Sequence, residues 1–577
     1  MTAPETSAPP RARAPSRWIL PAAPDDAAVA ALAGTLHLPV AVCRLLHARG
    51  YTEPGAAIRF LRPRFNQLHD PKLMRGLDAA AGRLVQAVER GEVIFVHGDY
   101  DVDGMTSTAL LTRAFRALGG RVVPFVPRRL EDGYDLSEAG VQAAIAAGAA
   151  VVVTADCGTT AHAAVRSLSA AGIDVIISDH HLPGGPVPEC LAVLNPRQPD
   201  CAYPDKDLAA AGVVFKLALE VTRRLGGSEG SVFGLLDLVA LATVADVAPL
   251  RGENRVFVRY GLRLLAESAN PGLRAMVQAS GLAGKTITAG RAGFILAPRL
   301  NAVGRIGNAM RGVELLTTAS EADAGRIARD LEELNRSRQD LDRAILAQAR
   351  ELVARLDLDA TYGIVLADEG WHPGVIGIVA SRLVEEVARP VVMVALSGAE
   401  GRGSGRSISA FDLHGGLTAC RDVLLRYGGH RAAAGVTVAR DRLGEFAARF
   451  NAVARERLRP EDLMSEVRVD LEVSIDDVTP ELEGLLRHFE PFGAGNPSPA
   501  LLARGVHLSS PPRALSHDGL KMRLGRAGGP LDAVAWGAAH RLPEFDAGGP
   551  VDVVFRVERD EWQGEQRVQA KVTDFRV

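Results

Sequence analysis

The sequence predicts an α/β protein. A parallel-sheet catalytic domain is joined by a long helix to a second, accessory α/β domain, and a C-terminal β-barrel of OB type follows. Three observations carry this. Between residues 93 and 180 short apolar runs alternate with helical stretches, the βαβ rhythm of a parallel sheet covered on both faces. From 320 to 357 helical periodicity runs on without a Gly or Pro after Gly325. Beyond residue 463 short strands follow one another with turns between them.

At 577 residues the chain is too long for one core. Residues 1–40 are expected to be a disordered tail and lead-in, because MTAPETSAPPRARAPSRW has arginines and prolines but no apolar h-region. Residues 41–319 form the expected catalytic domain, in which VIFVH, RVVPFV, AVVVT and DVIIS are strands and the segments between them crossover helices. Residues 320–357 are the connecting helix, and 358–462 a second α/β domain with strands TYGIVLA and PVVMVAL and a glycine-rich stretch, GAEGRGSGRSIS. In the module at 463–577, VRVDLEVSI alternates strictly, so Val467, Val469, Leu471, Val473 and Ile475 face one way. A five-stranded OB-type barrel is the expected form, with Trp536, Phe555 and Trp562 either core or groove aromatics.

With 47% apolar residues, 23% charged residues and a net charge of −3, the chain has neither a basic balance nor an acidic tail. Any nucleic-acid surface must therefore be local. Its basic residues are mostly arginine, which fits phosphate recognition and equally a GC-rich coding bias. The five cysteines form no C-x-x-C pair and no even framework, which points away from zinc and disulfides and towards a reducing cytoplasm. No segment offers about 20 uncharged apolar residues in a row, so no membrane association is expected.

The chemistry is concentrated at strand ends. Asp99, Asp101 and Asp103 sit two apart in HGDYDVDG behind VIFV, Asp156 follows AVVVT, and Asp179, His180 and His181 follow DVIIS. A doubly wound sheet places its ligands at that rim. Asp246 stands in the apolar run DLVALATVADVAPL, where a lone carboxylate would be costly. Each piece alone has a plain structural reading, as a turn, a helix cap or a surface histidine. Together, carboxylates with imidazole and no thiolate suit hard or borderline divalent ions, Mn²⁺ or Mg²⁺. Two such ions, about 3.5–4 Å apart, would offset the repulsion and activate a water. Cys157, beside Asp156, reads as a small buried filler.

GDYDVDG, ADCGTT, SDHHLP and ATVADVAPL, in that order, resemble the DHH phosphoesterase superfamily, named for the triplet present here as Asp179-His180-His181. VPRRLEDGYDLS (126–137), APRLNAVGRIGN (297–308), GWHPGVIGIVASRL (370–383), GRSIS (405–409), YGGHRAAAG (427–435) and FEPFGAGNPSP (489–499) resemble its branch of single-strand-specific exonucleases, over nearly the whole chain. The resemblance implies that Asp99, Asp101, Asp103, Asp156, His180 and Asp246 hold two metal ions with Asp156 bridging, and that His181 faces the scissile phosphate. His97 would be either a further ligand or a partner behind the ligands. Arg129, Arg299, Asn301, Arg305, Ser404, Arg406, Gly429 and His430 would bind substrate, the GGHRAAAG turn acting as an anion nest.

The implied activity is 5′→3′ hydrolysis of single-stranded DNA to 5′-mononucleotides in recombination and repair. Single-strand-binding protein and a helicase are the expected partners of a monomer. Two alternatives stand beside it: a phosphodiesterase for short oligonucleotides or cyclic dinucleotides, and a non-catalytic replication scaffold of the same fold. Small-substrate relatives usually lack the β-module, and scaffolds lose metal ligands; this chain keeps both.

Overall fold

The computed structural model describes residues 16–22, 24–129, 131–133, 135–546, 548–562 and 565–577. It forms two compact units that do not follow the linear order of the chain. Residues 53–337 belong with 487–498, and residues 1–52 with 338–486 and 499–577.

The first unit is built on a five-stranded parallel sheet in the order Arg121–Phe125, Val93–Gly98, Val151–Ala155, Asp174–Ser178, Ala192–Leu194. Alternate side chains serve opposite faces. Ile94, Val96, Val151, Val153 and Ile176 join one core with helices Leu77–Glu89, Val102–Ala117 and Ala210–Arg224, whereas Phe95, Val152, Val175 and Ile177 join another with Val141, Val165 and Leu168. Burial on both faces is why these strands read as unbroken apolar runs. The chain leaves Val93–Gly98 in one direction to Arg121–Phe125 and returns to its other side at Val151–Ala155. The crevice between these two paths is a topological switch point at the carboxyl ends of the strands. Residues 487–498 complete this unit: the Arg255 guanidinium donates to the His488, Glu490 and Pro491 carbonyls, and the Leu250 amide to the Ala494 carbonyl.

The helix expected over 320–357 runs from Glu321 to Ala354. In the second unit, a five-stranded sheet has the order Arg426–Gly429, Ala433–Ala439, Glu400–Arg406, Val391–Ser397, Ile364–Asp368. The glycine-rich stretch is thus the central strand, not a loop. A Cβ on Gly401 or Gly403 would lie 2.5 Å from Val394 or Val436, so the β-branched neighbours already fill that space. GGHRAAAG forms a hairpin between two strands.

The C-terminal sheet has seven strands rather than five, in the order Leu471–Glu472, Leu501–Val506, Val551–Trp562, Glu565–Arg576, Leu531–Trp536, Gly519–Leu524, Leu508–Leu515. VRVDLEVSI keeps its alternation but not its continuity. Ser465–Arg468 pairs with Ser16–Ile19, and Leu471–Glu472 pairs with Leu501–Leu502. The expected tail is therefore ordered from Ser16. Trp18 holds it, donating from Nε1 to Asp574 Oδ2 at 2.7 Å beneath the Arg576 guanidinium, 4.1 Å from the ring centroid. Residues 1–15 lie outside the described residues. Among the described residues no single helix is long and apolar enough to cross a membrane.

Candidate metal centre

The three strands that end in carboxylates or imidazoles, Val93–Gly98, Val151–Ala155 and Asp174–Ser178, are neighbours in the sheet. Asp101 caps helix Val102–Ala117, accepting from the Gly104 amide at 3.0 Å. Gly104 is required there: a Cβ would lie 2.4 Å from the Asp99 carbonyl oxygen. Asp156 leaves its strand with φ 72°, a left-handed conformation unfavourable for any side-chain-bearing residue. Asp246 is the C-cap of helix Leu236–Ala245, where the helix dipole opposes a carboxylate.

Three sets of ligand atoms lie within 4.8 Å of one another: Asp99, Asp101 and Asp156; Asp103, His180 and Asp246; Asp156, His180 and His181. Asp156 is common to two of them, and its Oδ1 lies 3.1 Å from His180 Nε2. Asp99 Oδ1, Asp156 Oδ1 and His180 Nε2 are buried without a hydrogen-bond partner. Each such atom costs about 1–3 kcal/mol. A cation in the pocket is the partner these atoms lack, and oxygens with one imidazole and no thiolate are the donor set of a hard or borderline divalent ion.

The electrostatics agree. Burial, then the neighbouring Asp101, raises Asp99 well above the usual carboxylate range; burial, then Asp103, Asp101 and Asp99, does the same to Asp156. Burial and Asp101 push Asp103 up to about 7 even though the Ala210 and Ala211 amides and Ser107 donate to it. Burial, Asp103 and Asp101 push Asp246 up to about 8. His180 is lowered to about 4 by burial and by His181, leaving a neutral imidazole fit for ligation. His181 is the opposite case. Burial pulls it down, but the hydrogen bond from Nδ1 to Asp179 Oδ1 at 2.7 Å and the charge of that carboxylate outweigh burial and raise it to about 9.

Asp179 organises the rim. It accepts from the Thr159, His180 and His181 amides, and although burial alone would raise it, its bonds to His181 and Thr159 hold it below the ordinary range. Asp135 and Asn195 do comparable work; Asp135 lies in VPRRLEDGYDLS without having been singled out, and Asn195 carried no sequence signal. Asp135 accepts from the Gly158 amide and the Thr160 hydroxyl, and Asn195 donates to the Thr159 hydroxyl and the His181 carbonyl. His97 is turned away from the carboxylates. Its ring packs on Gly140, where a Cβ would lie 2.3 Å from Nε2, and its Nδ1 is 3.6 Å from the buried Cys157 sulfur. Burial lowers it to about 4.

A cavity of about 290 Å³ is lined by Asp99, Tyr100, Asp101, Arg129, Asp246, Asn301, Gly304 and Arg305. Three of the predicted substrate residues, Arg129, Asn301 and Arg305, are thus brought to the carboxylates. Arg299 is not. Two residues before Asn301 on helix Ala297–Ile306, it faces the other way and is held by Glu332, at 2.5 Å from Nε, and by the Ile295 carbonyl. In the second unit, Arg406 donates to the Ser404 hydroxyl at 3.0 Å, and both lie beside Gly377 in the first turn of helix Ile376–Val387, whose positive end favours anions. Gly429 and His430 are exposed on the hairpin. Phe555 is core, Trp536 is 54% exposed, and the Trp562 side chain lies outside the described ones.

A doubly wound sheet with this carboxylate and imidazole rim defines the DHH class, and residues 93–243 match the DHH family, N-terminal domain. Residues 359–456 match the DHHA1 domain and 469–574 the RecJ OB domain. The single-stranded-DNA-specific exonuclease RecJ of Dickeya dadantii is 36% identical over 92% of this chain and 95% of its own length. That of Bacillus subtilis is 34% identical over 96% of this chain and 70% of its own. The crystal structure of RecJ from Thermus thermophilus in complex with Mn²⁺ superposes with a TM-score of 0.83 at 34% identity, covering 97% of this chain and 80% of that one. The chain belongs to the RecJ family.

Proposed function

We propose that this protein is a metal-dependent exonuclease that hydrolyses single-stranded DNA from its 5′ end and releases 5′-mononucleotides. The observation that carries this reading is the sharing of Asp156 between two ligand sets at adjacent strand ends, with its Oδ1 buried and unpartnered. Relatives named as single-stranded-DNA-specific exonucleases support the substrate, and a relative solved with Mn²⁺ supports the ion. The 5′ polarity comes from the resemblance in sequence.

In this reading Asp99, Asp101 and Asp156 hold one divalent cation, and Asp103, His180 and Asp246, with Asp156 shared, hold a second. Mn²⁺ or Mg²⁺ held by these residues would supply Lewis acidity to the scissile phosphate and to water. His181, kept protonated by Asp179, donates to a phosphate oxygen as charge develops on it. Arg129, Asn301 and Arg305 position the backbone at the scissile bond. Ser404 and Arg406, at the positive end of helix Ile376–Val387, receive the terminal 5′-phosphate, with Gly429 and His430 acting as an anion nest for a phosphate. Arg299 is assigned to structure. Single-strand-binding protein and a strand-separating helicase as partners, a monomeric state and a cytoplasmic location complete the proposal.

The test offers the purified protein, with Mn²⁺ or Mg²⁺, single-stranded DNA labelled at either end, duplex and a dinucleotide. Early release of the 5′ label as mononucleotide from the single strand alone is expected. Preference for the dinucleotide would favour the small-substrate alternative, and inertness on all substrates the scaffold.

A further inference from the structure

Three consecutive polar residues, Glu253, Asn254 and Arg255, sit in the first turn of helix Gly252–Ala266, and each is at most 2% exposed. Buried polar side chains must find partners, and these three find them on different segments. Glu253 pairs with Lys216 and accepts from the Tyr203 hydroxyl, and Arg255 donates to the Phe60, His488, Glu490 and Pro491 carbonyls. Asn254 serves the segments that lead to the ligands. A side-chain amide has two protons to give, and Nδ2 gives one to the Asp207 carbonyl at 2.5 Å and one to the Pro249 carbonyl at 3.1 Å. Its Oδ1 is buried without a hydrogen-bond partner, so the side chain is held by its donors alone.

Asp207 opens the run that orients two ligands of the second set. The Leu208 carbonyl is hydrogen-bonded to the His180 ring, and the Ala210 and Ala211 amides donate to Asp103 Oδ2 and Oδ1, both at 2.8 Å. Residues 208–211 thus set the rotation of an imidazole and of a carboxylate whose ligand atoms lie 3.9 Å apart. Lys206 staples the same run, its ammonium donating to the Pro196 and Cys201 carbonyls at 2.8 and 2.6 Å. Pro249 lies in the turn that follows Asp246, whose Oδ2 is 3.8 Å from His180 Nε2. That turn is strained. Val247 stands at φ 59°, where a helix end ordinarily places glycine, and such a conformation persists only when its surroundings over-determine it. The bond from Asn254 to Pro249 is one of the ties that do so.

We propose that Asn254 is the positioning residue of the second cation site: one side-chain amide fixes, from behind, both the run that orients Asp103 and His180 and the turn that follows Asp246. The inference rests on the two-cation reading and adds what sets the spacing of the second ligand set apart from the first. Asp99 and Asp156 stand at strand ends and Asp101 caps a helix, so the first set takes its geometry from the sheet and the cap instead. Partners that stand behind metal ligands fix the orientation of those ligands and with it the affinity for the ion.

The test titrates the metal-free, full-length protein with Mn²⁺ by calorimetry, as wild type and as Asn254→Leu, which keeps the volume and removes both donors. Wild type is expected to take up two ions. Asn254→Leu should bind one of them as wild type does and the other roughly 10- to 100-fold more weakly, the usual cost of losing a partner behind the ligands. Its kcat on single-stranded DNA should fall at limiting Mn²⁺ and recover at saturating Mn²⁺, with KM for the strand unchanged. Should Asn254→Leu not fold, Lys206→Met, a change at an exposed residue of the same run, is titrated in its place and must weaken the same single ion. Two ions bound at wild-type affinity overturn the proposal. So do an equal weakening of both ions in step with a lowered Tm, and a loss of kcat that saturating Mn²⁺ does not recover; each leaves Asn254 a support of the fold and nothing more. If the wild type itself takes up fewer than two ions, it is the two-cation reading that fails.

Discussion

Gly304 is a point at which one methyl group should disable the acidic site without touching a carboxylate. It lies on helix Ala297–Ile306 with its Cα against the Asp99-Tyr100-Asp101 turn, and a Cβ there would stand 2.1 Å from the Tyr100 carbonyl oxygen and 3.2 Å from its carbon. Real Cβ contacts essentially never fall under 3.0 Å, so about 1 Å of displacement must be absorbed. Both partners are backbone, and neither has a flexible end to yield. If the turn moves, Asp99 and Asp101 move with it; if the helix moves, Asn301 and Arg305 do. A misplacement of 1 Å costs on the order of 10²-fold in rate, and overpacking of this kind lowers stability by about 1–3 kcal/mol. Gly304→Ala should therefore fold with a modestly lowered Tm, bind Mn²⁺ more weakly by calorimetry, and turn over single-stranded DNA about a hundredfold more slowly. A folded Gly304→Ala protein with wild-type turnover and wild-type Mn²⁺ affinity would refute this account of the site.

Asp156→Ala should abolish hydrolysis while largely sparing single-strand affinity in a filter-binding assay; turnover above about a tenth of wild type would exclude a shared ligand. Arg406→Ala should reduce the preference for 5′-phosphorylated over 5′-hydroxyl ends by about 1.5–3 kcal/mol, measured as the ratio of kcat/KM values, and equal losses on both ends would make Arg406 a general backbone contact. Asp179→Asn removes the charge that keeps His181 protonated up to about pH 9. The protonated form is then lost at lower pH, and the alkaline limb of the kcat profile should move down by about 1–3 units; an unmoved limb would show that His181 does not act as the protonated donor.

Much of the site was legible because metal-binding carboxylates violate ordinary patterning. Asp99, Asp101 and Asp103 crowd behind an apolar strand, and Asp246 ends an apolar helix. What periodicity does not encode is the order of strands in a sheet. The ends at Gly98, Ala155 and Ser178 converge because Arg121–Phe125 is carried to the far side of Val93–Gly98, a fact of connection rather than composition. The roles of Asp135 and Asn195 escaped notice because each works through hydrogen bonds across the fold that no local spacing marks, even though Asp135 stands in a quoted motif. Arg299 pairs with Glu332 and does not line the cavity that Asn301 lines, because proximity in a motif says nothing about helix face, and two residues along a helix turn a side chain to the opposite side. The glycine-rich stretch was given no element from sequence because glycine is depleted in strands; at 401–405 its reason is room for the side chains of neighbouring strands.

The interleaving of the two units also sets a timetable for synthesis. Arg17 pairs with Glu466, 449 residues later in the chain. On a ribosome adding roughly 5–20 residues per second, that first strand waits about 20–90 s for its neighbour to be made. The unit that holds the aspartates and histidines begins at residue 53 and waits in the same way for residues 487–498. Folding from the N-terminus cannot close either unit as it emerges. A nascent chain interrupted before residue 487 carries every candidate ligand in a body still missing the segment that Arg255 and Leu250 bind, so completion of the catalytic unit is deferred until residues 487–498 have been made.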